Sequence, residues 1–168
     1  MEELPEYLTK DIVVFGCGNV LFGDDGFGPS VADFMNKNCD IPDHALVLDV
    51  GTSVRELLFT ILLSEKKPKD LVIVDAVDKG KVPGEVFEIL VDDIPEKKTT
   101  DFSLHQFPTS NMLKELKDLG DLGVTVIVCQ VENIPEEVGP GLSDSVAEAI
   151  PRASKIIYEK LMMRRQQS

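Results

Sequence analysis

The sequence has few cysteines and few basic residues, and both shortages exclude classes of protein. The three cysteines, Cys17, Cys39 and Cys129, are odd in number and widely separated, and no CxxC pair occurs. This pattern indicates neither a disulfide framework nor a thiolate zinc site, and it predicts free thiols in a reducing compartment. The 17 Lys and Arg residues are outnumbered by 30 Asp and Glu residues, so the net charge is −13. Such a charge argues against nucleic acid or an anionic membrane surface as the main partner.

The chain also lacks a recognisable targeting or membrane-spanning segment. Its first residues, Met1-Glu-Glu-Leu-Pro-Glu6, contain neither the basic start nor the apolar stretch of a signal peptide. No apolar run approaches the length of a membrane span. We therefore expect a cytoplasmic protein with no membrane partner, and the 168 residues fit a single domain over 1–168.

A glycine-rich stretch from Gly16 to Pro29 follows the apolar run Ile12 to Phe15, but it lacks the pattern of a phosphate-binding turn. Leu21 occupies the position where the GxGxxG fingerprint needs its third glycine. Asp24 and Asp25 stand where a P-loop needs Lys and Ser/Thr, and they would repel a polyphosphate. The stretch is better suited to a cation, although either aspartate could instead cap the helix that follows.

Short β-branched runs alternate with helical patterns, which is typical of a sheet covered by helices on both faces. The fourth run begins too soon after the third for a parallel crossover, so it is predicted to be antiparallel at an edge. We predict an α/β fold, a three-layer α/β/α sandwich with a mixed, mostly parallel five-stranded sheet. The predicted strands are Ile12 to Phe15, Ala45 to Val50, Leu71 to Val77, Val86 to Leu90 and Val124 to Val131.

Two helical patterns carry specific expectations. The residues Ser53-Val-Arg-Glu56 form a capping-box pattern that predicts the start of a helix. Phe59 and Leu63 broaden the apolar face of this helix, and we expect them to be buried. Pro151 interrupts the last helical pattern, which predicts a kink or two abutting helices.

Several polar side chains are expected to meet beyond the carboxyl ends of the strands, where ligands bind in open α/β sheets. Asp24 and Asp25 follow the first strand, and Asp75 ends the apolar run of the third. His105 lies in a predicted loop just before a helix, whereas His44 has the setting of a surface residue. One imidazole with two carboxylates would make an open site for a borderline divalent cation.

Nucleophilic catalysis is an alternative chemistry for the same region. Cys17 as nucleophile and His105 as base would form a cysteine-dependent hydrolase. Cys17 is also simply a small residue that fits between two glycines. No G-x-S-x-G elbow and no H-E-x-x-H helix occurs, so serine hydrolases and zincins lack support.

These motifs together resemble the hydrogenase maturation proteases, a family that trims the C-terminus of the large subunit of nickel-iron hydrogenases. The matching stretches occur in the expected order over nearly the whole chain, and they resemble most the branch associated with coenzyme F420-reducing hydrogenases of archaea. The stretches are Gly16-Cys-Gly-Asn-Val-Leu-Phe-Gly-Asp-Asp-Gly-Phe-Gly28, Asp49-Val-Gly-Thr52, Ile73-Val-Asp-Ala76, Ser103-Leu-His105 and Gly139-Pro-Gly-Leu-Ser143.

The resemblance implies that Asp25, Asp75 and His105 are both the catalytic and the nickel-contacting residues. It implies that the nickel is supplied by the substrate, the precursor of a hydrogenase large subunit, and that no organic cofactor is needed. Many relatives carry Glu at the place of Asp25, which leaves the relative roles of Asp24 and Asp25 open. In this picture the glycines let the backbone of the partner approach closely.

The leading hypothesis is therefore an endopeptidase that removes a C-terminal peptide from the nickel-loaded precursor and uses its nickel for recognition. A cysteine-dependent amidohydrolase with Cys17 and His105 is one alternative. A noncatalytic nickel-binding module is another. A nucleotide-binding module is disfavoured by the acidic turn.

Overall fold

A five-stranded mixed sheet forms the centre of the protein. The computed structural model describes residues 3–93 and 110–167. The strand order is β2-β1-β3-β5-β4, with β1, β2, β3 and β5 parallel and β4 antiparallel to β5. This confirms the predicted edge strand, because the short connection between β3 and β4 allows only a return in the opposite direction. The strands are β1 Ile12–Cys17, β2 Ala45–Gly51, β3 Asp70–Val77, β4 Val86–Ile89 and β5 Gly123–Gln130.

Helices cover both faces of the sheet and confirm the three-layer α/β/α prediction. One buried cluster joins Val13 and Phe15 of β1 to residues of α1, α3 and α4, and the other joins Val14 to residues of α2 and α5. Successive side chains of a strand point to opposite faces, so β1 supplies both clusters. The helices are α1 Glu6–Thr9, α2 Phe27–Asn38, α3 Val54–Leu63, α4 Ser110–Asp118 and α5 Asp144–Gln167, and short 3₁₀ turns span Gly23–Gly26 and Val91–Asp93.

Helix α3 begins directly after Ser53, as the capping-box pattern predicts, but the Ser53 capping bond is absent and the predicted burial of Phe59 and Leu63 is wrong. Ser53 occupies the N-cap position and its side chain makes no capping hydrogen bond. Phe59 and Leu63 are 50% and 69% exposed, whereas Leu58 is fully buried. Neighbouring helical positions lie about 100° apart around the axis, so the residue after Leu58 points away from the sheet.

Helix α5 is continuous through Pro151, so the expectation of two abutting helices is wrong. Proline removes one backbone hydrogen bond and costs a helix interior about 3 kcal/mol. Pro151 is exposed, while Ala149, Ala153 and Ile157 are buried against the sheet. Burial of this face on both sides of the proline keeps the helix in one piece.

The strand order places a crevice at the carboxyl ends of β1 and β3. The chain moves from β1 outward to β2, and from β3 in the other direction to the edge strand β4 before it returns to β5. Adjacent parallel strands whose connections leave in opposite directions define the usual ligand-binding crevice of such sheets. In the described part of the chain, no helix is long and apolar enough to cross a membrane.

Candidate active site

The glycine-rich stretch is used to pack α2 directly against the sheet. A side-chain carbon on Gly28 would overlap the backbone carbonyls of Cys17 and Val74, and one on Gly16 would overlap the carbonyl of Gly28. Gly18 has a φ of +139° and its added carbon would overlap the carbonyl of Asp25. The faces of these glycines are therefore occupied by the protein's own backbone. The expectation that they admit the backbone of a partner is wrong for these three positions.

Asp25 and Asp75 lie buried at the crevice between β1 and β3. Asp25 belongs to the 3₁₀ turn Gly23–Gly26, is 0% exposed and accepts a hydrogen bond from the amide of Asn19 at 3.0 Å. Asp75 lies near the carboxyl end of β3, is 1% exposed and accepts a hydrogen bond from the amide of Ala76 at 2.8 Å. The structure thus brings these two predicted site residues to the same place.

Burial and mutual repulsion make this pair electrostatically unusual. Burial raises the pKa of the Asp75 carboxyl well above its usual range, and the nearby charge of Asp25 raises it further. The amide of Ala76 opposes the shift in the pKa, but its effect is smaller. Two carboxylates that are costly to ionise together favour a bound proton or a bound cation at their position. The pair fits a divalent cation, for which carboxylate oxygens are suitable ligands.

Asp24 makes a separate set of contacts that joins two parts of the chain. Its buried carboxylate accepts hydrogen bonds from the amides of Glu132 at 2.9 Å, Asn133 at 3.0 Å and Ser143 at 2.7 Å. The Ser143 hydroxyl donates to the same carboxylate at 2.9 Å. We call this set of bonds the Asp24 clamp. It holds the segment after β5 against the turn after β1.

The capping alternative for the two aspartates is wrong. The N-cap position of α2 is Gly26, and no side chain makes a capping hydrogen bond there. The structure instead gives the two side chains different surroundings. Asp24 bonds to the segment after β5, and Asp25 lies near Asp75.

Cys17 has the environment of an inert core thiol. Its Sγ is buried and donates to the carbonyl of Phe15 at 3.5 Å. Burial raises the pKa of this thiol well above its usual range, and the charges of Asp75, Asp49 and Asp25 raise it further, in that order. The thiolate is the nucleophilic form, so these surroundings disfavour the cysteine hydrolase alternative. Cys129 is also buried, and burial raises its pKa to about 12.

Asp49 is a further acidic residue at this edge, and the sequence assigns it no role beyond its place in the stretch Asp49-Val-Gly-Thr52. It lies in β2, exposes its side chain and accepts a hydrogen bond from the amide of Gly51 at 2.9 Å. Gly51 has a φ of +53°, which is typical of glycine in a tight turn. The strand-ending run Asp49-Val-Gly51 was the available signal. Asp49 also lines a cleft of about 490 Å³ beside α2.

His105 falls within residues 94–109, outside the described part of the chain, so its place in the site stays a prediction. His44 has a structural role, because its Nε2 lies 3.0 Å from the carbonyl oxygen of Leu161. Among residues 3–93 and 110–167, no three His, Cys, Asp or Glu side chains are grouped as a metal site. The described part of the site therefore consists of two carboxylates.

Comparisons with known proteins identify the family. Residues 29–160 match the family model described as hydrogenase maturation protease. The chain is 40% identical over 153 residues to a Methanocaldococcus jannaschii protein provisionally named a hydrogenase maturation protease, with 90% of this chain and 97% of that protein covered. It is 36% identical over 155 residues to the coenzyme F420 hydrogenase subunit delta of Methanothermobacter thermautotrophicus, with 90% and 94% covered.

Solved structures agree with this relationship and with the fold. The hydrogenase maturating endopeptidase HybD from Escherichia coli superposes with a TM-score of 0.71 at 28% identity, covering 91% of this chain and 93% of that one. The hydrogenase 3 maturation protease superposes with a TM-score of 0.67 at 26% identity, covering 88% and 89%. The chain belongs to the hydrogenase maturation protease family, and it is a peptide hydrolase.

Proposed function

We propose that this protein removes a C-terminal peptide from the nickel-loaded precursor of a nickel-iron hydrogenase large subunit. The observation that carries the proposal is the buried pair Asp25 and Asp75 at the carboxyl ends of β1 and β3. The names of the relatives support a hydrogenase as the object of processing, because one is the hydrogenase 2 maturation protease of Escherichia coli. The partner is accordingly the immature large subunit, and its nickel is part of the substrate.

The two carboxylates have a role before any bond is cut. Their close, buried negative charge attracts a cation that a partner presents, and it disfavours an anionic ligand. Two protein carboxylates with one imidazole leave positions open for ligands that the precursor supplies. We propose His105 as that imidazole. When bound, the nickel would orient the precursor and could polarise the scissile carbonyl as a Lewis acid.

The test is a processing reaction with purified protein and two forms of the precursor, nickel-loaded and nickel-free. Mass spectrometry of the products reports whether a C-terminal peptide is lost and from which form. We expect cleavage of the loaded form only. If the loaded precursor stays full length while it still binds the protein, the noncatalytic nickel-binding module is the better description.

Site variants then test the assignment of residues. Asp25→Asn, Asp75→Asn and His105→Gln should each reduce processing by at least about a hundredfold, the usual scale for loss of a group that contacts the reacting atoms. Asp43→Asn and His44→Gln are matched controls, because Asp43 is exposed just before β2, at the end of the sheet opposite the site, and His44 bonds to α5. Full activity in the three site variants would remove the basis for this site.

A further inference from the structure

The turn after β1 and the segment after β5 form one fixed surface beside the carboxylate pair. The amide of Gly139 donates to the carbonyl of Leu21 at 2.8 Å, and the amide of Gly23 donates to the carbonyl of Gly139 at 2.9 Å. The Asp24 clamp joins the same two parts of the chain a few residues further on. Backbone bonds on both sides of the contact hold this surface in one arrangement before any partner binds.

Three apolar side chains project from this surface, and we call them the apolar ridge. Val20 is 50% exposed, Leu21 47% and Val138 67%. Leu21 and Val138 are neighbours in space, because the carbonyl of Leu21 accepts a hydrogen bond from the residue after Val138. The Cα of Val20 lies 3.1 Å from where a side-chain carbon on Gly26 would be, so the ridge lies against the turn that carries Asp25. Grouped exposed apolar residues often mark an interaction surface.

The chain on both sides of the ridge carries charge of one sign. Residues 18–36 and 118–151 contain no Lys or Arg, although the protein has 17 of them elsewhere. Glu132, Glu136 and Glu137, which precede Val138, are exposed. The segments that carry the ridge therefore contribute only negative side-chain charge around an apolar centre, which favours apolar side chains flanked by basic ones.

The ridge is continuous with the cleft beside α2. Val20 lines this cleft together with Phe34, Asp49 and the ion pair of Asp33 with Lys37. The cleft volume of about 490 Å³ lies within the range of sites that hold small ligands or side chains. A polypeptide that crosses the ridge can therefore place a side chain in the cleft.

We propose that the apolar ridge docks a segment of the hydrogenase precursor that carries apolar side chains flanked by Lys or Arg. The inference rests on the proposed function, because this segment belongs to the substrate that presents its metal to the carboxylate pair. A second copy of this chain is a poor occupant, since two chains of net charge −13 repel each other. The opposite charges of the precursor segment accelerate docking, and the apolar contacts slow its release.

The first test removes the apolar contacts. The triple variant Val20→Ser, Leu21→Ser and Val138→Ser should raise the KM for the nickel-loaded precursor by about tenfold or more, while kcat changes by less than about twofold. The control carries three equivalent changes at exposed apolar residues of the opposite helix layer, and its KM should equal that of the unmodified protein. The control changes are Phe59→Ser, Leu63→Ser and Leu119→Ser.

The second test reverses charge without touching the apolar side chains. Glu136→Lys with Glu137→Lys should lower kcat/KM and weaken its dependence on ionic strength, because attraction of the basic precursor side chains is replaced by repulsion. Glu65→Lys with Glu159→Lys makes the same change in net charge at exposed positions elsewhere and should leave kcat/KM unchanged.

The outcomes separate the two proposals. If the unmodified protein does not cleave the nickel-loaded precursor, the proposed function fails and this inference fails with it. The docking inference alone is overturned if the unmodified protein cleaves the precursor, the triple ridge variant retains its KM, and the variant with Glu136→Lys and Glu137→Lys retains its kcat/KM. Equal effects of the ridge changes and their controls would likewise overturn it, because charge or folding would then explain them.

Discussion

Asp24 and Asp25 are adjacent in the sequence, yet their side chains have different surroundings. Asp24 accepts hydrogen bonds from residues as far as 119 positions along the chain, and Asp25 lies close enough to Asp75 to raise its pKa. The sequence predicts that both aspartates lie beside the crevice. It does not divide their roles, because the partners of Asp24 become neighbours only after the sheet has formed.

The two aspartates should therefore respond differently to neutralisation. Asp24→Asn should lower the free energy of unfolding by about 3 kcal/mol, because hydrogen bonds to a buried charge are each worth about 1.5–3 kcal/mol. Asp25→Asn should cost less, since loss of its charge also relieves repulsion with Asp75. Urea unfolding at neutral pH measures both. Equal losses in the two variants would contradict the division of roles.

Asp75 should make the metal-free protein less stable as the pH rises. Its pKa in the folded protein is raised above the unfolded value of about 3.9. The folded state therefore holds this proton more tightly, and stability falls as the pH rises above about 4 towards the folded-state pKa. Asp75→Asn removes this effect, so this variant should be more stable than the unmodified protein at pH 7.

Urea unfolding between pH 5 and pH 8 tests the prediction for Asp75. The advantage of Asp75→Asn over the unmodified protein should grow with pH across this range. Asp33→Asn is the control, because its exposed carboxylate pairs with Lys37 on the surface of α2 at 2.9 Å. It should change stability by less than about 0.5 kcal/mol. A variant at position 75 that is less stable at every pH would be inconsistent with the raised pKa.

At the scale of single elements, helix α2 depends on glycine where it meets the sheet. Gly28→Ala would place a methyl group against the carbonyls of Cys17 and Val74. Alanine is favoured over glycine in a helix by about 1 kcal/mol, but an overlap with fixed backbone costs about 1–3 kcal/mol or more. We therefore expect a net loss of stability and a lower Tm in thermal unfolding.

Gly139→Ala is the matched control for Gly28→Ala. An added carbon at Gly139 would meet its nearest atom at 3.7 Å, which is an ordinary contact, and its φ is not positive. Its Tm should stay close to that of the unmodified protein. Should Gly28→Ala be as stable as this control, the close approach of α2 to β1 would be refuted.

Helices α3 and α5 show which features of an element a pattern can predict. The spacing of Leu58 and Ile61 predicts α3 correctly, because burial of one face stabilises a helix. The exposure of Phe59 and Leu63 was not predictable, since it depends on how the helix lies on the sheet. The same limit applies to Pro151, because packing on both sides of it keeps α5 continuous.

For the whole molecule, the net charge of −13 predicts a response to salt. Repulsion among like charges destabilises the compact state, and salt screens it. The Tm of the metal-free protein should rise between 20 and 300 mM NaCl, with about 1 kcal/mol of stability corresponding to about 2–4 °C. Docking of the precursor segment beside Glu132, Glu136 and Glu137 should weaken over the same range of salt. A Tm that falls with added salt would contradict the role of repulsion.

The sequence by itself determined the succession of strands and helices along the chain, the antiparallel edge strand and the family. These features depend on local periodicity, connection length and motif order. Tertiary structure decided that Asp25 and Asp75 meet while Asp24 joins two distant segments. It also decided that the glycines serve backbone packing and that Cys17 is buried. The physical reason is that burial, repulsion between carboxylates and backbone overlap depend on distances between residues far apart in the chain.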